Sequence, residues 1–371
     1  MDNNNNNESI KQESPICSKS VDGGVDLWSC NNKDKDNKDS SSSSPDHLVI
    51  LVNGILGTTK DWKFGAEQFV KQLPHQLIVH CSERNVSKLT LDGIDVMGER
   101  LAEEVVELIH RNPEARKISF VGHSMGGLVA RYAIGRLYRP PKSDNTEEGS
   151  NDASDGDSRG TICGLEAMNF ITVATPHLGS RGNNQVPFLF GVTAIEKVAT
   201  YVIHWIFRRT GRHLFLTDAD KEEVPLLRRM VDDCGDLHFM SALQAFHRRA
   251  TYANVGYDHI VGWRTASIRR ISDLPKWEDS VSEKYPHIVY EERCKATDVE
   301  SPPISAEKGS FDVLEEEMMS GLSRVPWEKV DVSFHTSRQR FAAHSVIQVK
   351  DDFMHLEGAD VIQHIIDHFL L

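Results

Sequence analysis

Cysteine is scarce and scattered. Six thiols (Cys17, Cys30, Cys81, Cys163, Cys234 and Cys294) are spread over 371 residues, with no C-x-x-C pair and no His/Cys cluster. That excludes a zinc-binding ribbon or finger, and it gives no sign of a disulfide framework. Positive charge is also short: 42 Lys+Arg stand against 55 Asp+Glu, a net charge of −13. A general nucleic-acid binder needs a basic face to neutralise phosphates, so no nucleic-acid partner is expected. The N-terminus lacks a basic start followed by an apolar stretch, and it is too acidic for a transit peptide. Long apolar runs are missing as well. The richest, Val186–Phe207, is interrupted by Glu196, Lys197 and His204 and makes a poor bilayer span. The expectation is a cytoplasmic protein with reduced thiols, and no metal or organic cofactor is implied.

Two stretches lack the apolar side chains that offset the entropy of ordering a chain. Residues 1–45 carry an Asn run and a Ser run, and residues 141–160 are mostly Ser, Asp, Glu, Gly and Asn. The first is expected to be a disordered tail and the second a flexible acidic loop. The remainder, 46–371, suits one α/β domain.

What is present alternates. His47–Asn53, Leu77–Cys81, Lys117–Gly122, Leu165–Ala174, Ala250–Val255 and Lys329–Phe334 are short apolar runs that read as buried strands. Between them, Asp61–Leu73, Val96–Arg111 and Ser124–Tyr138 have helical spacing, and Val361–Leu370 reads as a terminal helix. This order predicts a mostly parallel sheet with helices on both faces. Residues from about 183 to 247 break the alternation. Ile195, Val198, Ala199, Val202, Ile203 and Ile206 form one helical stripe, and Val224–Val231 is a second amphipathic stretch. The region reads as an inserted helical cap, whose apolar stripe either packs on the sheet domain, covers a pocket or rests on a membrane surface.

Gly122-His123-Ser124-Met125-Gly126-Gly127 fits the G-x-S-x-G turn in which a strained strand-to-helix junction lifts a serine hydroxyl clear of its neighbours. The context is right, with a buried strand leading in and an amphipathic helix leading out. At the helix start, the Met125 N–H is a candidate oxyanion donor. A second donor is expected from the loop after the first core strand, Asn53-Gly54-Ile55-Leu56-Gly57, where the N–H of Ile55 is the candidate. A triad of this type runs Ser, acid, His along the chain. Asp258, at the end of the strand running through Thr251–Tyr257, is the candidate acid, with Asp218 and Asp220 as rivals in a polar turn. His344, between the last strand and the terminal helix, is the candidate base, and His355 is the runner-up. His287 precedes the last strand, His335 reads as a surface or sheet-edge group, and His364 and His368 read as solvated.

The chain resembles the plant branch of the putative serine esterase (lipase-like) family of α/β-hydrolases over roughly residues 47–371. The likeness rests on Leu48–Gly57 followed by Asp61-Trp62, on Gly122–Leu128, on Phe170–Gly179 with its Thr-Pro-His-Leu-Gly ending, on Gly211–Asp218 with Pro225–Leu227, on Asn254–Ser267, and on Ala343–Lys350. The resemblance implies the α/β-hydrolase fold and a serine carboxylesterase or lipase acting on glycerolipid or similar esters. By matching positions it implies Ser124, Asp258 and His344 as the triad. Many lipases carry His-Gly at the oxyanion loop where this chain has Asn53-Gly54, a swap to which a backbone donor is insensitive. An acyltransferase using the same acyl-enzyme, or a non-catalytic lipid-binding or scaffold member of the fold, is the alternative.

Overall fold

The computed structural model describes residues 18–22, 25–29, 44–141, 159–180, 208–219, 224–278, 282–297 and 311–371. Its strands are β1 (Ser18–Asp22), β2 (Val25–Ser29), β3 (His47–Val52), β4 (Leu77–Cys81), β5 (Lys117–His123), β6 (Tyr138–Arg139), β7 (Thr161–Ile162), β8 (Glu166–Val173), β9 (Arg248–Asn254), β10 (Ile288–Cys294) and β11 (Trp327–Val332). Nine of them form one sheet in the order β1-β2-β4-β3-β5-β8-β9-β11-β10, and β6 pairs with β7 at the foot of the acidic insertion. The six strands from β4 to β11 are mutually parallel. The outer strands β1, β2 and β10 run antiparallel to their neighbours. This is the α/β-hydrolase arrangement that the sequence resemblance implies.

Strand β3 shows why the sheet forms where it does. All six of its residues are buried, as a strand covered on both faces requires. Leu48, Ile50 and Val52 enter one core and Val49 and Leu51 the other, following the two-residue side-chain period. The first core is closed by α2 (Ile94–Arg111) and α3 (Met125–Leu137), and the second by α1 (Lys63–Gln72) and α9 (Ala359–Asp367). The α2 stripe behaves as its spacing predicts: Met97, Leu101, Val105 and Leu108 are buried. Helices α2 and α3 touch closely at Gly98, where a Cβ would fall 2.2 Å from the Tyr132 ring.

Several expectations are corrected. Part of the 1–45 stretch is strand: β1 and β2 pair with each other, and β2 continues the sheet beside β4. Val21, Val25, Leu27 and Trp28 supply β-prone residues within an otherwise polar tract. Strand β10 and helix α7 (Phe311–Leu322) were not expected. Of the anticipated cap, 183–207 lies outside the described residues, as does 142–158 of the acidic loop. Residues 208–214 are helical. The C-terminal part holds α4 (Leu226–Arg229) and α5 (Phe239–Ala245), which belong to the main core rather than to a separate cap. Gly135 of α3 lets Phe239 approach so closely that an added Cβ would sit 2.5 Å from its ring.

Two histidine readings are informative. His364 is not solvated: it is buried, and its Nδ1 lies 2.9 Å from the Tyr252 hydroxyl. His335 and His368 are exposed. The side of β11 that carries Asp331 and Ser333 is nevertheless covered, because Arg269 donates to both Asp331 oxygens at 2.8 Å. Arg269 follows α6 (Trp263–Ser267), so this buried pair ties the segment after β9 to β11. Trp263 Nε1 donates to the same carboxylate at 2.8 Å.

Candidate active site

The connections leaving the carboxyl ends of β3, β5, β9 and β11 lie along one edge of the sheet, where open α/β sheets place their sites. They carry the Asn53–Gly57 turn, Ser124, Asp258 and His344, in that order.

Ser124 stands between β5 and α3 with φ 54° and ψ −132°, a conformation that side-chain-bearing residues rarely adopt. Glycines make the turn possible. A Cβ at Gly122 would lie 2.6 Å from the Gly127 backbone, and one at Gly126 would lie 2.5 Å from the carbonyls of Val52 and Asn53. The Ser124 N–H donates to Val173 O at 2.8 Å, which fixes the turn to β8.

The structure brings Ser124, His344 and Asp258 together. His344 Nε2 lies 3.0 Å from Ser124 Oγ, and His344 Nδ1 lies 2.9 Å from Asp258 Oδ2. His344 sits on α8 (Ala343–Val346), in the connection after β11. Asp258 is buried, and every partner of its carboxylate donates. Asn254 Nδ2 reaches Oδ2 at 2.9 Å, and the N–H groups of Ile260 and Val261 reach Oδ1 at 3.0 and 2.8 Å. Burial alone would raise this carboxyl. The His344 ring, the Val261 N–H and the Asn254 amide outweigh burial and hold it below the usual carboxylate range. A folded value below the unfolded one stabilises the native state above about pH 4, and that contribution is lost as pH falls through the folded value.

The rivals lie elsewhere. Asp218 accepts the Leu226 N–H at 2.8 Å and lies 3.8 Å from His213, while Asp220 lies outside the described residues. His355 starts a single helical turn and donates its N–H to Asp351 O at 3.0 Å. His287 is bound to Asp360 at 2.8 Å.

The turn after β3 is braced from several directions. Gly57 N–H closes on Gly54 O at 3.1 Å, and Leu56 N–H donates to Thr90 Oγ1 at 2.8 Å. Asn53 Nδ2 donates to Gly54 O and Asn85 O, both at 3.1 Å. The Asn that stands where many lipases have His therefore serves as a tether. The Ile55 N–H takes no protein partner among the described residues. Met125 opens α3, where a helix leaves its first N–H groups without an internal acceptor.

Gly54 fits directly against the serine: a Cβ there would lie 2.9 Å from Ser124 Cβ and 3.4 Å from His123 Nδ1. Gly54→Ala is accordingly expected to displace the turn. A loss of any Ser124-dependent activity, with far-UV circular dichroism still native, checks this.

His123 was missed as a site residue. Its Nε2 donates to the His344 carbonyl at 2.7 Å, and its ring lies 4.7 Å from the His344 ring. Burial first, and then the neighbouring His344 imidazole, hold this ring well below its ordinary range. A neutral ring thus ties the serine turn to the histidine segment. Its place immediately before Ser124 was the only sequence signal. Among the described residues no group of three His, Cys, Asp or Glu side chains is placed to hold a metal ion.

A nucleophile-like hydroxyl, an imidazole within reach and a buried carboxylate behind it can together carry acyl transfer. The comparisons agree at the level of family. Residues 42–269 match the family model described as "Putative serine esterase (DUF676)". The chain is 30% identical over 230 residues to "Putative lipase ROG1" of Saccharomyces cerevisiae, covering 60% of this chain and 28% of that protein. It is 27% identical over 248 residues to "Putative lipase C4A8.10" of Schizosaccharomyces pombe, covering 64% of this chain and 28% of that protein. Less than a third of each relative's length is thus spanned. Among solved structures, a lipase of Bacillus licheniformis in its propeptide form is 16% identical with a TM-score of 0.34, covering 58% of this chain and 36% of that one. The chain belongs to the putative serine esterase family.

Proposed function

We propose that the protein hydrolyses acyl esters, lipid esters foremost, through an acyl-enzyme on Ser124. The observation that carries this reading is the continuous hydrogen-bonded line from Ser124 Oγ through His344 to the buried Asp258. In this reaction His344 Nε2 takes the Ser124 proton as Oγ attacks the acyl carbonyl. The N–H groups of Ile55 and Met125 receive the developing oxyanion, and His344 returns the proton to the leaving alkoxide. Water, deprotonated by the same imidazole, then releases the fatty acid. Asp258 keeps the His344 proton on Nδ1 and stabilises the imidazolium. The relatives' names, putative lipases, support the choice of a lipid ester over a small polar one.

The test is turnover of p-nitrophenyl esters of graded chain length. Measurable hydrolysis is expected, rising from acetate to octanoate, with the free acid as product even when an alcohol acceptor is added. No turnover of any ester would contradict the reading, and predominant transfer to the alcohol would make the protein an acyltransferase.

A further inference from the structure

The connections at the Ser124 end of the sheet also carry exposed apolar side chains. Leu56 after β3, Ile260 after β9, and Phe341, Phe353, Met354 and Leu356 after β11 are all at least half exposed, and Phe353 reaches 90%. Exposed apolar side chains gathered in one short segment, as Phe353, Met354 and Leu356 are, mark an interaction site.

Phe353, Met354 and Leu356 form its salient. They are held there by structure. Asp351 Oδ1 accepts the N–H groups of Phe353 at 3.0 Å and Met354 at 2.7 Å, and Asp351 O accepts that of His355 at 3.0 Å. Gly358 seats the base of the turn on α8, since an added Cβ would fall 1.8 Å from Val346 O. The turn is therefore fused to the helix that holds His344. At its foot Lys63 meets Asp352 at 2.8 Å and Lys350 meets Asp61 at 3.0 Å, while Asp351 and Glu357 have no ion-pair partner among the described residues.

Resting on the esterase reading above, we infer that the 351–356 turn inserts into the surface of a neutral lipid assembly and sets the Ser124 site against its substrate. A single turn is far smaller than the roughly 800 Å² per partner of a standard protein interface. It needs no shaped counterpart to enter acyl chains, where each buried apolar side chain adds affinity. The two unpaired carboxylates disfavour an anionic surface, and on a neutral one the turn's binding is not weakened by salt. The surface lies on the His344 side of the mouth; the apolar stripe anticipated at 195–206 lies outside the described residues.

The experiment is flotation of the intact chain with phosphatidylcholine vesicles, for wild type and for the F353S/M354S/L356S variant. Wild type should float equally at low and high salt. The variant should partition at least tenfold more weakly, while hydrolysing soluble p-nitrophenyl acetate at the wild-type rate. Equal partitioning of the two proteins, no flotation of wild type, or flotation abolished by salt would overturn the inference. So would a concentration-dependent dimer in lipid-free solution that the variant loses, which would make a second copy the occupant. Flotation needs no turnover. A protein inactive on every ester whose flotation still depends on the turn would sink the catalytic reading and leave this one standing.

Discussion

Ser124→Ala is expected to lower ester turnover by about four to six orders of magnitude while leaving the fold intact. The loss is large because, among the described residues, no other hydroxyl shares the His344 contact: Ser124 Oγ is the group 3.0 Å from Nε2. What survives is the rate that a water molecule, the oxyanion donors and substrate binding supply on their own. Stability offers an independent reading of the same residue. Both Ser and Ala must hold φ 54° at this turn, whereas Gly adopts it freely. Relief of about 1–3 kcal/mol of strain exceeds the entropic cost of a Gly, about 0.5–1 kcal/mol. Ser124→Gly should therefore unfold at a higher temperature than Ser124→Ala, and both should be inactive. Calorimetry of the two variants checks this.

Asp258→Asn carries the second large effect, about 10⁴-fold in kcat, and the hydrogen-bond inventory says why. All four described partners of the carboxylate face it with an N–H: Ile260 and Val261 on Oδ1, Asn254 and His344 on Oδ2. An amide has one accepting end. Keeping its oxygen on the two backbone N–H groups turns its NH₂ toward His344 Nδ1. The imidazole must then move its proton to Nε2, where it faces Ser124 Oγ as a donor and can no longer take the hydroxyl proton. The variant should bind substrate with little change in KM, because the defect is in the base and not in the pocket. Its stability should also decline less steeply on acidification, because the depressed carboxyl is gone. Kinetics and acid-unfolding curves test the two halves separately. A kcat within tenfold of wild type would remove Asp258 from the account.

The core of the site was legible because its signals are local. The Gly122–Gly127 hexapeptide sits between a mostly apolar strand and a mostly apolar helix, and Asn-Gly follows β3. Asp258 and His344 were readable only as candidates. The contacts that bring them to the serine span 86 and 220 residues, and no periodicity encodes such distances. The unexpected elements have a common cause. Strand β10 is an edge strand with alternating exposure and the polar run Glu291-Glu292-Arg293, so it lacks the continuous apolar signature of a central strand. Helix α7 contains three successive glutamates and reads as a solvated face. Yet Glu315 and Glu317 are buried, the first paired with Arg264 and the second with Arg228 at 2.6 Å. His364 was misplaced for the same reason: a polar side chain was given to solvent, when Tyr252, from a strand 112 residues earlier, supplies its partner. Buried polar groups satisfied by distant partners are invisible to a hydropathy pattern.

The central claim is that Ser124 is the nucleophile, and covalent labelling addresses it most directly. The native protein, treated with a fluorophosphonate and digested, should yield a stoichiometric phosphonyl adduct on the peptide that spans Ser124. Saturating ester substrate should slow its formation. A protein that hydrolyses esters but carries the adduct on another residue, or carries none, would contradict the account.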